Sequence, residues 1–214
     1  MWNTILFDLD GTLTDSQEGI INSITNALDH FGIREDRAGL VAFVGPPLDE
    51  SFRLRYGFGE EQIAVGIEKF REYFNVRGWL ENAPYPGVAD LLAQLRAAGK
   101  RLLVATSKPE NMAVQVLEHF DLARYFDCIC GAPPDNQEGA RKACVIRDAL
   151  RRAEVEDLSS AVMVGDRRHD VEGAREAGLR TVGVLYGYGG REELEKAGAA
   201  YIAADLDQLR ALLL

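Results

Sequence analysis

The sequence predicts a doubly wound α/β fold, in which helices cover a parallel sheet, with an all-helical segment inserted after the first strand. Short apolar runs alternate along the chain with amphipathic segments, as they do in repeated βα units. The runs are apolar without strict alternation of polar residues, which is typical of strands buried on both faces. One long stretch near the N-terminus breaks this alternation, because it shows helical periodicity only.

Six apolar runs are the candidate strands of this Rossmann-like core. They are 4–9, 101–106, 126–131, 161–166, 181–186 and 199–204. The helices predicted between them carry start and stop signals. The segment "PGVADLLAQLRAAGK" ends at Gly99, "KPENMAVQVLEHF" has Pro109 at its first turn, and "DVEGAREAGL" ends at Gly178.

The inserted segment spans residues 16–80 and contains "GIINSITNALDHFG" and "EEQIAVGIEKFREYF", both with helical spacing of apolar residues. The Pro- and Gly-containing stretch "ENAPYPGV" follows it as a linker back to the sheet. We therefore predict a core domain formed by residues 1–15 and 81–214, and a helical domain formed by residues 16–80.

Charge and composition limit the partners. The formal net charge is −10 and no run of Lys and Arg opposes it, which argues against nucleic acid as a main partner. No apolar run approaches the ~18 residues of a membrane span, and the N-terminal segment lacks a basic stretch typical of signal peptides. Three cysteines, sparse and odd in number, favour a reducing compartment, so we expect a cytoplasmic protein. We also expect a monomer or a homodimer.

Polar residues stand at the carboxyl ends of the predicted strands, where open parallel sheets bind ligands. The residues concerned are Asp8, Asp10, Thr106, Ser107 and Asp166, with Asp170 four residues further on and Lys142 in the helix after the third core strand. Carboxylates that converge there repel one another unless a cation neutralises them. Ligation by oxygen alone favours Mg²⁺ over zinc, and Mg²⁺ favours a phosphate as a further ligand.

The turn after the first strand suits such a phosphate. We expect Gly11 and Thr12 to direct backbone N–H groups toward phosphate oxygens. A lysine and a threonine hydroxyl would supply the further donors that a phosphoryl group requires.

These motifs resemble those of the haloacid dehalogenase superfamily in its phosphatase branch. "DLDGT" (8–12) resembles the first motif, "VATS" (104–107) the second, Lys142 the third, and "GDRRHD" (165–170) the fourth. The helical insertion stands where that superfamily carries a C1-type cap domain, so the resemblance covers essentially the whole chain. The loop around Gly45 resembles the cap loop of phosphoglycolate phosphatase-like members.

The resemblance implies a role for each residue. Asp8 would be the nucleophile that forms an aspartyl-phosphate, and Asp10 would be the general acid and then the general base. The dehalogenases of the superfamily lack the second aspartate, so Asp10 argues against dehalogenation. Asp8 and Asp166 would hold Mg²⁺ with the main-chain carbonyl of Asp10, and Asp170 would complete the ligand shell directly or through water.

Phosphate binding and substrate choice fall to further residues. Thr106, Ser107 and Lys142 would bind the phosphoryl group, with Lys108 as a rival for the lysine. In the cap, the candidates for contact with the substrate are Gly45, Arg53, Arg55 and Lys69.

The resulting prediction is a Mg²⁺-dependent phosphatase for a small phosphorylated metabolite, phosphoglycolate phosphatase-like. A 5′-nucleotidase, an inorganic pyrophosphatase or a sugar phosphomutase of the same fold fits as an alternative. A phospho-acceptor signalling module belongs to a different class. It is disfavoured because such modules are shorter, lack the insertion and do not follow the acceptor with x-Asp-Gly-Thr.

Overall fold

The computed structural model describes residues 2–133 and 139–214. The chain forms two compact units, one made of Met1–Thr14 with Pro84–Leu214 and the other of Asp15–Ala83. The strands are β1 Thr4–Phe7, β2 Thr14–Asp15, β3 Ala83–Pro84, β4 Arg101–Pro109, β5 Cys128–Ala132, β6 Ala161–Gly165, β7 Arg180–Val184 and β8 Tyr201–Ala203. Six of them form a parallel sheet in the order β5-β4-β1-β6-β7-β8, while β2 and β3 pair separately.

Ten helices connect these strands in the described part of the chain. They are α1 Gln17–His30, α2 Arg37–Leu40, α3 Leu48–Tyr56, α4 Glu60–Tyr73, α5 Val88–Ala97, α6 Glu110–His119, α7 Lys142–Arg152, α8 Arg168–Glu176, α9 Arg191–Ala197 and α10 Leu206–Leu213. Single 3₁₀ turns occur at Val41–Phe43, Ala123–Tyr125 and Leu158–Ser160, and a π turn at Phe74–Gly78. The predicted α/β class with a parallel sheet is confirmed. None of the helices formed by residues 2–133 and 139–214 is long and apolar enough to cross a membrane.

The two central strands of the sheet, β1 and β6, are buried over their whole length, which explains why their sequences are apolar runs without alternation. All four residues of β1 and all five of β6 are buried. On one face of the sheet, Leu6 packs in a cluster with Leu103 and Met163 of the neighbouring strands and with Ile146 of α7. Cys130 belongs to the same cluster, and Cys128 packs against it with its Sγ 3.4 Å from that of Cys130.

One predicted boundary is wrong. Pro109 was expected in the first turn of a helix, but it is the last residue of β4 and precedes α6 as its N-cap. Its backbone is extended (φ −51°, ψ 132°) because it pairs with Ala132 after an irregularity in the β4–β5 register. The longer strand keeps Thr106 and Lys108 on the sheet edge where β1 ends.

The unit Asp15–Ala83 is built from α1 to α4, and its core is aromatic. The Phe52 ring stacks on Phe58 with centroids 5.7 Å apart and meets Phe43 edge-on at 5.6 Å. A side chain at Gly66 of α4 would lie 3.1 Å from the Phe52 ring, so this glycine gives the ring its space.

Replacing Leu6 with alanine tests the account of the sheet core. Leu6 is fully buried, so Leu6→Ala should lower the free energy of unfolding by about 2–5 kcal/mol in urea titrations. Leu158→Ala is the matched control, because Leu158 is 37% exposed and should cost at most about 1 kcal/mol. Equal losses for the two variants would contradict the placement of the core.

Candidate active site

Two neighbouring strands bring the first carboxylates together. Asp8 follows β1 directly, and its N–H donates to Val164 O of β6 at 2.9 Å. Asp166 follows β6 and is fully buried. Ligand oxygens of Asp8, Asp166 and Asp170 lie within 4.8 Å of one another. We call these three residues the acidic cluster.

Asp170 reaches the cluster from the first turn of α8. Its Oδ2 accepts a hydrogen bond from Arg167 N at 3.0 Å, so one oxygen caps the helix. Its Oδ1 lies 2.8 Å from Lys142 Nζ. Asp170 thus stabilises the start of α8 through its Oδ2 and takes part in the acidic cluster through its Oδ1.

Lys142 is the cation of the acidic cluster. It is the first residue of α7, and its Nζ lies 2.8 Å from Asp8 Oδ1, 2.8 Å from Asp170 Oδ1 and 3.2 Å from the Ala105 carbonyl to which it donates. The side chain is only 6% exposed. Gly173 of α8 permits this approach, because a side chain there would lie 2.8 Å from Lys142 Cβ.

Burial dominates the electrostatics of the cluster. It raises the pKa of Asp8 to about 6, against the opposing effect of Lys142. Burial also raises the pKa of Asp166 well above its ordinary value, and the neighbouring Asp170 and Asp8 add to this. Burial alone would lower the pKa of Lys142, but Asp170 and Asp8 outweigh it, and the pKa is raised.

The acidic cluster fits a hard divalent cation. Asp8 Oδ1 and Asp170 Oδ1 are buried, and each lies 2.8 Å from the Lys142 ammonium. The donors are carboxylate oxygens, the ligands that Mg²⁺ prefers. The chemistry of this donor set therefore fits a magnesium ion.

A second lysine pairs with Asp10. Lys108 Nζ lies 2.9 Å from Asp10 Oδ2 and 3.1 Å from Oδ1, and the two side chains are 6% and 16% exposed. The sequence left open whether Lys142 or Lys108 serves the site. The structure places both at this end of the sheet with different carboxylate partners, Lys142 beside Asp8 and Lys108 beside Asp10.

Thr106 and Ser107 lie at the end of the sheet where β1 ends and Asp8 follows. Val104 is the register partner of Phe7, so residues 106 and 107 run beside the segment that carries Asp8. Thr106 is buried, and its Oγ1 accepts a hydrogen bond from Lys108 N at 3.3 Å.

The turn after β1 differs from the prediction. Gly11 N donates to Thr14 O at 2.8 Å and Thr12 N donates to Leu9 O at 3.2 Å, so the two N–H groups expected to face a phosphate are satisfied inside the turn. The N–H groups of Leu9 and Asp10, by contrast, donate to no described residue. Closure of the turn occupies both N–H groups in this structure, and the phosphate-binding role of Gly11 and Thr12 stays a prediction.

Gly11 and Thr12 instead support Asp166. Gly11 has φ +85°, and a side chain there would lie 2.6 Å from Asp166 Cγ, so only glycine fits. Thr12 Oγ1 donates to Asp166 Oδ1 at 3.2 Å. Both residues therefore serve the neighbouring carboxylate.

A contact that the sequence did not reveal comes from residues 186–189, which follow β7 and which we call the β7 loop. Tyr188 N donates to Asp166 Oδ2 at 2.8 Å, and the Tyr186 hydroxyl donates to Thr12 O at 3.0 Å. The available signal was "YGYGG", a glycine-rich run directly after a strand.

The residues predicted to set specificity lie in the other unit. Gly45 has φ +105° in the turn before α3. Arg53 pairs with Glu60 at 2.8 Å, Lys69 pairs with Glu72 at 2.5 Å, and Arg55 pairs with Glu35. Each cation thus has an acidic partner within its own unit, and the predicted role in substrate selection stays a prediction.

Comparison with known proteins places this geometry in a family. A model of the haloacid dehalogenase-like hydrolase family matches residues 5–184. The crystal structure of a predicted phosphatase from Clostridium acetobutylicum superposes with a TM-score of 0.95 at 46% identity, covering 100% of this chain and 98% of that one.

Three named relatives are similar to this chain over most of its length. A 5′-nucleotidase of Pseudomonas aeruginosa is 42% identical over 212 residues, which is 98% of this chain and 94% of that protein. Tyrosine-protein kinase PtkA of Mycobacterium tuberculosis is 42% identical over 210 residues, 96% of this chain and 70% of that protein. A phosphoglycolate phosphatase of Caulobacter vibrioides is 32% identical over 215 residues, 92% of this chain and 84% of that protein.

The chain belongs to the haloacid dehalogenase-like hydrolase family, as its motifs predicted. Within that family it is a phosphatase, a hydrolase that acts on phosphate esters.

Removing the lysine of the acidic cluster tests its electrostatic role. Lys142→Met leaves Asp8 and Asp170 buried without a cation, so urea titration in EDTA should show a loss of about 3 kcal/mol or more. Lys196→Met is the control, since Lys196 is 75% exposed and pairs with Glu192 on the surface, and it should cost at most about 1 kcal/mol. A Lys142→Met protein as stable as Lys196→Met would refute the assignment.

Proposed function

We propose that this phosphatase hydrolyses a small phosphomonoester in a Mg²⁺-dependent reaction, through an aspartyl-phosphate on Asp8. The observation that carries the proposal is the buried acidic cluster with one lysine at its centre. When its three carboxylates are ionised, Lys142 balances one negative charge and two remain. A divalent cation supplies that missing charge.

The chemistry follows from two aspartates with different surroundings. An Asp8 carboxylate oxygen attacks phosphorus, and the bond between phosphorus and the leaving-group oxygen breaks as Asp10 gives that oxygen a proton. Asp10 then takes a proton from water, the water oxygen attacks phosphorus, and inorganic phosphate leaves. Asp8 is regenerated as a carboxylate, so the cycle closes.

The residues that would hold Mg²⁺ are Asp8, Asp166, Asp170 and the main-chain carbonyl of Asp10. When bound, the ion offsets the repulsion between the Asp8 carboxylate and the anionic phosphoryl group. Asp170 contributes its Oδ1, because its Oδ2 caps α8.

Phosphoryl oxygens need several donors, and the described residues offer them from three segments. Lys142 supplies an ammonium, and Thr106 and Ser107 supply hydroxyl groups at the end of β4. The N–H groups of Leu9 and Asp10, which donate to none of residues 2–133 and 139–214, lie directly beside the nucleophile in sequence. These two amides replace Gly11 and Thr12 as the proposed backbone donors.

Two substrate classes are the main candidates. A phosphoglycolate-like carboxylate ester agrees with the resemblance of the cap loop. A nucleoside monophosphate is favoured because the chain is 42% identical to the 5′-nucleotidase and only 32% identical to the phosphoglycolate phosphatase.

We also propose a cytoplasmic location, which is compatible with three free thiols.

A substrate panel decides between these classes. Ranking kcat/KM over phosphoglycolate, nucleoside monophosphates, pyrophosphate and sugar phosphates with Mg²⁺ should give one preferred small phosphomonoester. Transfer from ATP to a tyrosine peptide, measured in parallel, covers the activity named for the mycobacterial relative. A flat ranking would refute the substrate proposal and leave the hydrolytic chemistry intact.

Asparagine at the nucleophile should abolish turnover. Asp8→Asn cannot form an acyl phosphate, so hydrolysis of p-nitrophenyl phosphate with Mg²⁺ should fall by at least about a thousandfold. Asp207→Asn, at a side chain that is 86% exposed, should stay within twofold of the wild type. Substantial activity in Asp8→Asn would show that another group attacks phosphorus.

The two lysines should separate in kinetics. Lys108 pairs with the proton donor Asp10, so Lys108→Met should lower kcat by about tenfold or more while KM changes little. Lys142 binds the phosphoryl group in both ground state and transition state, so Lys142→Met should raise KM as well as lower kcat. Steady-state kinetics with p-nitrophenyl phosphate checks this, and identical effects of the two variants would contradict the division of roles.

A further inference from the structure

We propose that Tyr186 is a positioning residue of the hydrolytic site: through Thr12, its hydroxyl fixes the turn after β1 and the orientation of Asp166. The inference rests on the proposed function, because Asp166 requires a fixed orientation as a ligand of Mg²⁺. The hydroxyl of Tyr186 reaches the acidic cluster through hydrogen bonds with Thr12.

The first step is the contact with the turn. The Tyr186 hydroxyl donates to the Thr12 carbonyl at 3.0 Å, across 174 positions of sequence. The same turn is closed from inside by Leu9 O, which accepts from Thr12 N at 3.2 Å and from Leu13 N at 2.9 Å. Burial raises the pKa of Tyr186, so the hydroxyl keeps its proton at neutral pH.

The second step is the pair of hydrogen bonds that orient the Asp166 carboxylate. Its Oδ1 accepts from Thr12 Oγ1 at 3.2 Å, and its Oδ2 accepts from Tyr188 N at 2.8 Å. The turn thus provides a donor to one oxygen and the β7 loop provides a donor to the other. Rotation of the carboxylate would break both bonds.

The third step is the close packing of the β7 loop on Asp166. A side chain at Gly187 would lie 2.7 Å from Asp166 Cγ, and one at Gly189 would lie 3.1 Å from the Asp166 carbonyl carbon and overlap its oxygen. A side chain at the next residue, Gly190, would meet nothing within 4 Å. Contact with Asp166 therefore requires glycine at 187 and 189 but not at 190.

The ring of Tyr186 is held as well as its hydroxyl. It packs edge-on against Tyr85, with centroids 5.0 Å apart, and Tyr85 N donates to Leu13 O at 3.0 Å. The tyrosine therefore spans two points of the chain next to the turn. Outer residues that orient metal ligands in this way typically change metal affinity or activity by about 10–100-fold when removed.

Tyr186→Phe tests the proposal because it removes only the hydroxyl. In calorimetric titration of the metal-free protein with Mg²⁺ alone, we expect the Kd to rise by about three- to tenfold. At saturating Mg²⁺, kcat for p-nitrophenyl phosphate should fall by a similar factor while KM stays within twofold. Tyr201→Phe, at an exposed tyrosine of β8, is the matched control and should leave all three values unchanged.

Gly189→Ala provides a second variant that does not depend on the hydroxyl. Its methyl group displaces the β7 loop from Asp166, so the Kd for Mg²⁺ should rise by about tenfold or more. Gly190→Ala is its neighbour in open space with an ordinary φ of −85°, and it should bind Mg²⁺ as the wild type does.

The outcomes separate this inference from the proposed function. A wild-type protein that neither binds Mg²⁺ nor hydrolyses p-nitrophenyl phosphate with it refutes the proposed function. A wild-type protein that does both, with Tyr186→Phe equal to it in Kd and kcat, refutes only the positioning role. A Tyr186→Phe protein with a lower Tm but unchanged Kd and kcat shows a purely structural tyrosine and refutes the role as well.

Discussion

Mutual repulsion of carboxylates in a small, buried volume is the constraint on which the site depends. Asp8, Asp166 and Asp170 offer oxygens within 4.8 Å of one another, and burial raises the pKa of Asp8 and Asp166. Such an arrangement costs folding free energy unless cations offset it. Lys142 stands 2.8 Å from two of the three residues, and the charge that it leaves unbalanced matches one divalent ion.

Glycine is the means by which the fold brings these groups close. Gly11, Gly165 and Gly173 stand where a side chain would overlap Asp166, Asp170 and Lys142, respectively. Three elements can therefore approach one point at the end of the sheet. The result is a site whose charged groups are held by backbone packing as well as by ion pairs, as electrostatic catalysis requires.

The strands and the order of polar residues at their ends could be predicted, because apolar runs and strand polarity determine which residues share an edge of the sheet. The sequence could not predict which charged side chains pair with one another. The sequence favoured Lys142 with Lys108 as a rival, and only the folded chain shows that each lysine has its own carboxylate partner. The donors at Leu9 and Asp10 depend on how the turn closes, and Tyr186 depends on a contact 174 residues distant, which one sequence does not encode locally.

A crystal structure grown with Mg²⁺ and beryllofluoride, a mimic of an aspartyl-bound phosphoryl group, tests the central claim most directly. The account predicts beryllium bonded to an Asp8 carboxylate oxygen, with Mg²⁺ held by Asp8, Asp166, Asp170 and the Asp10 carbonyl. It also predicts the Leu9 and Asp10 amides and Lys142 on the fluorine atoms. Beryllofluoride attached to another residue, or an acidic cluster that stays without Mg²⁺ in those crystals, would contradict it.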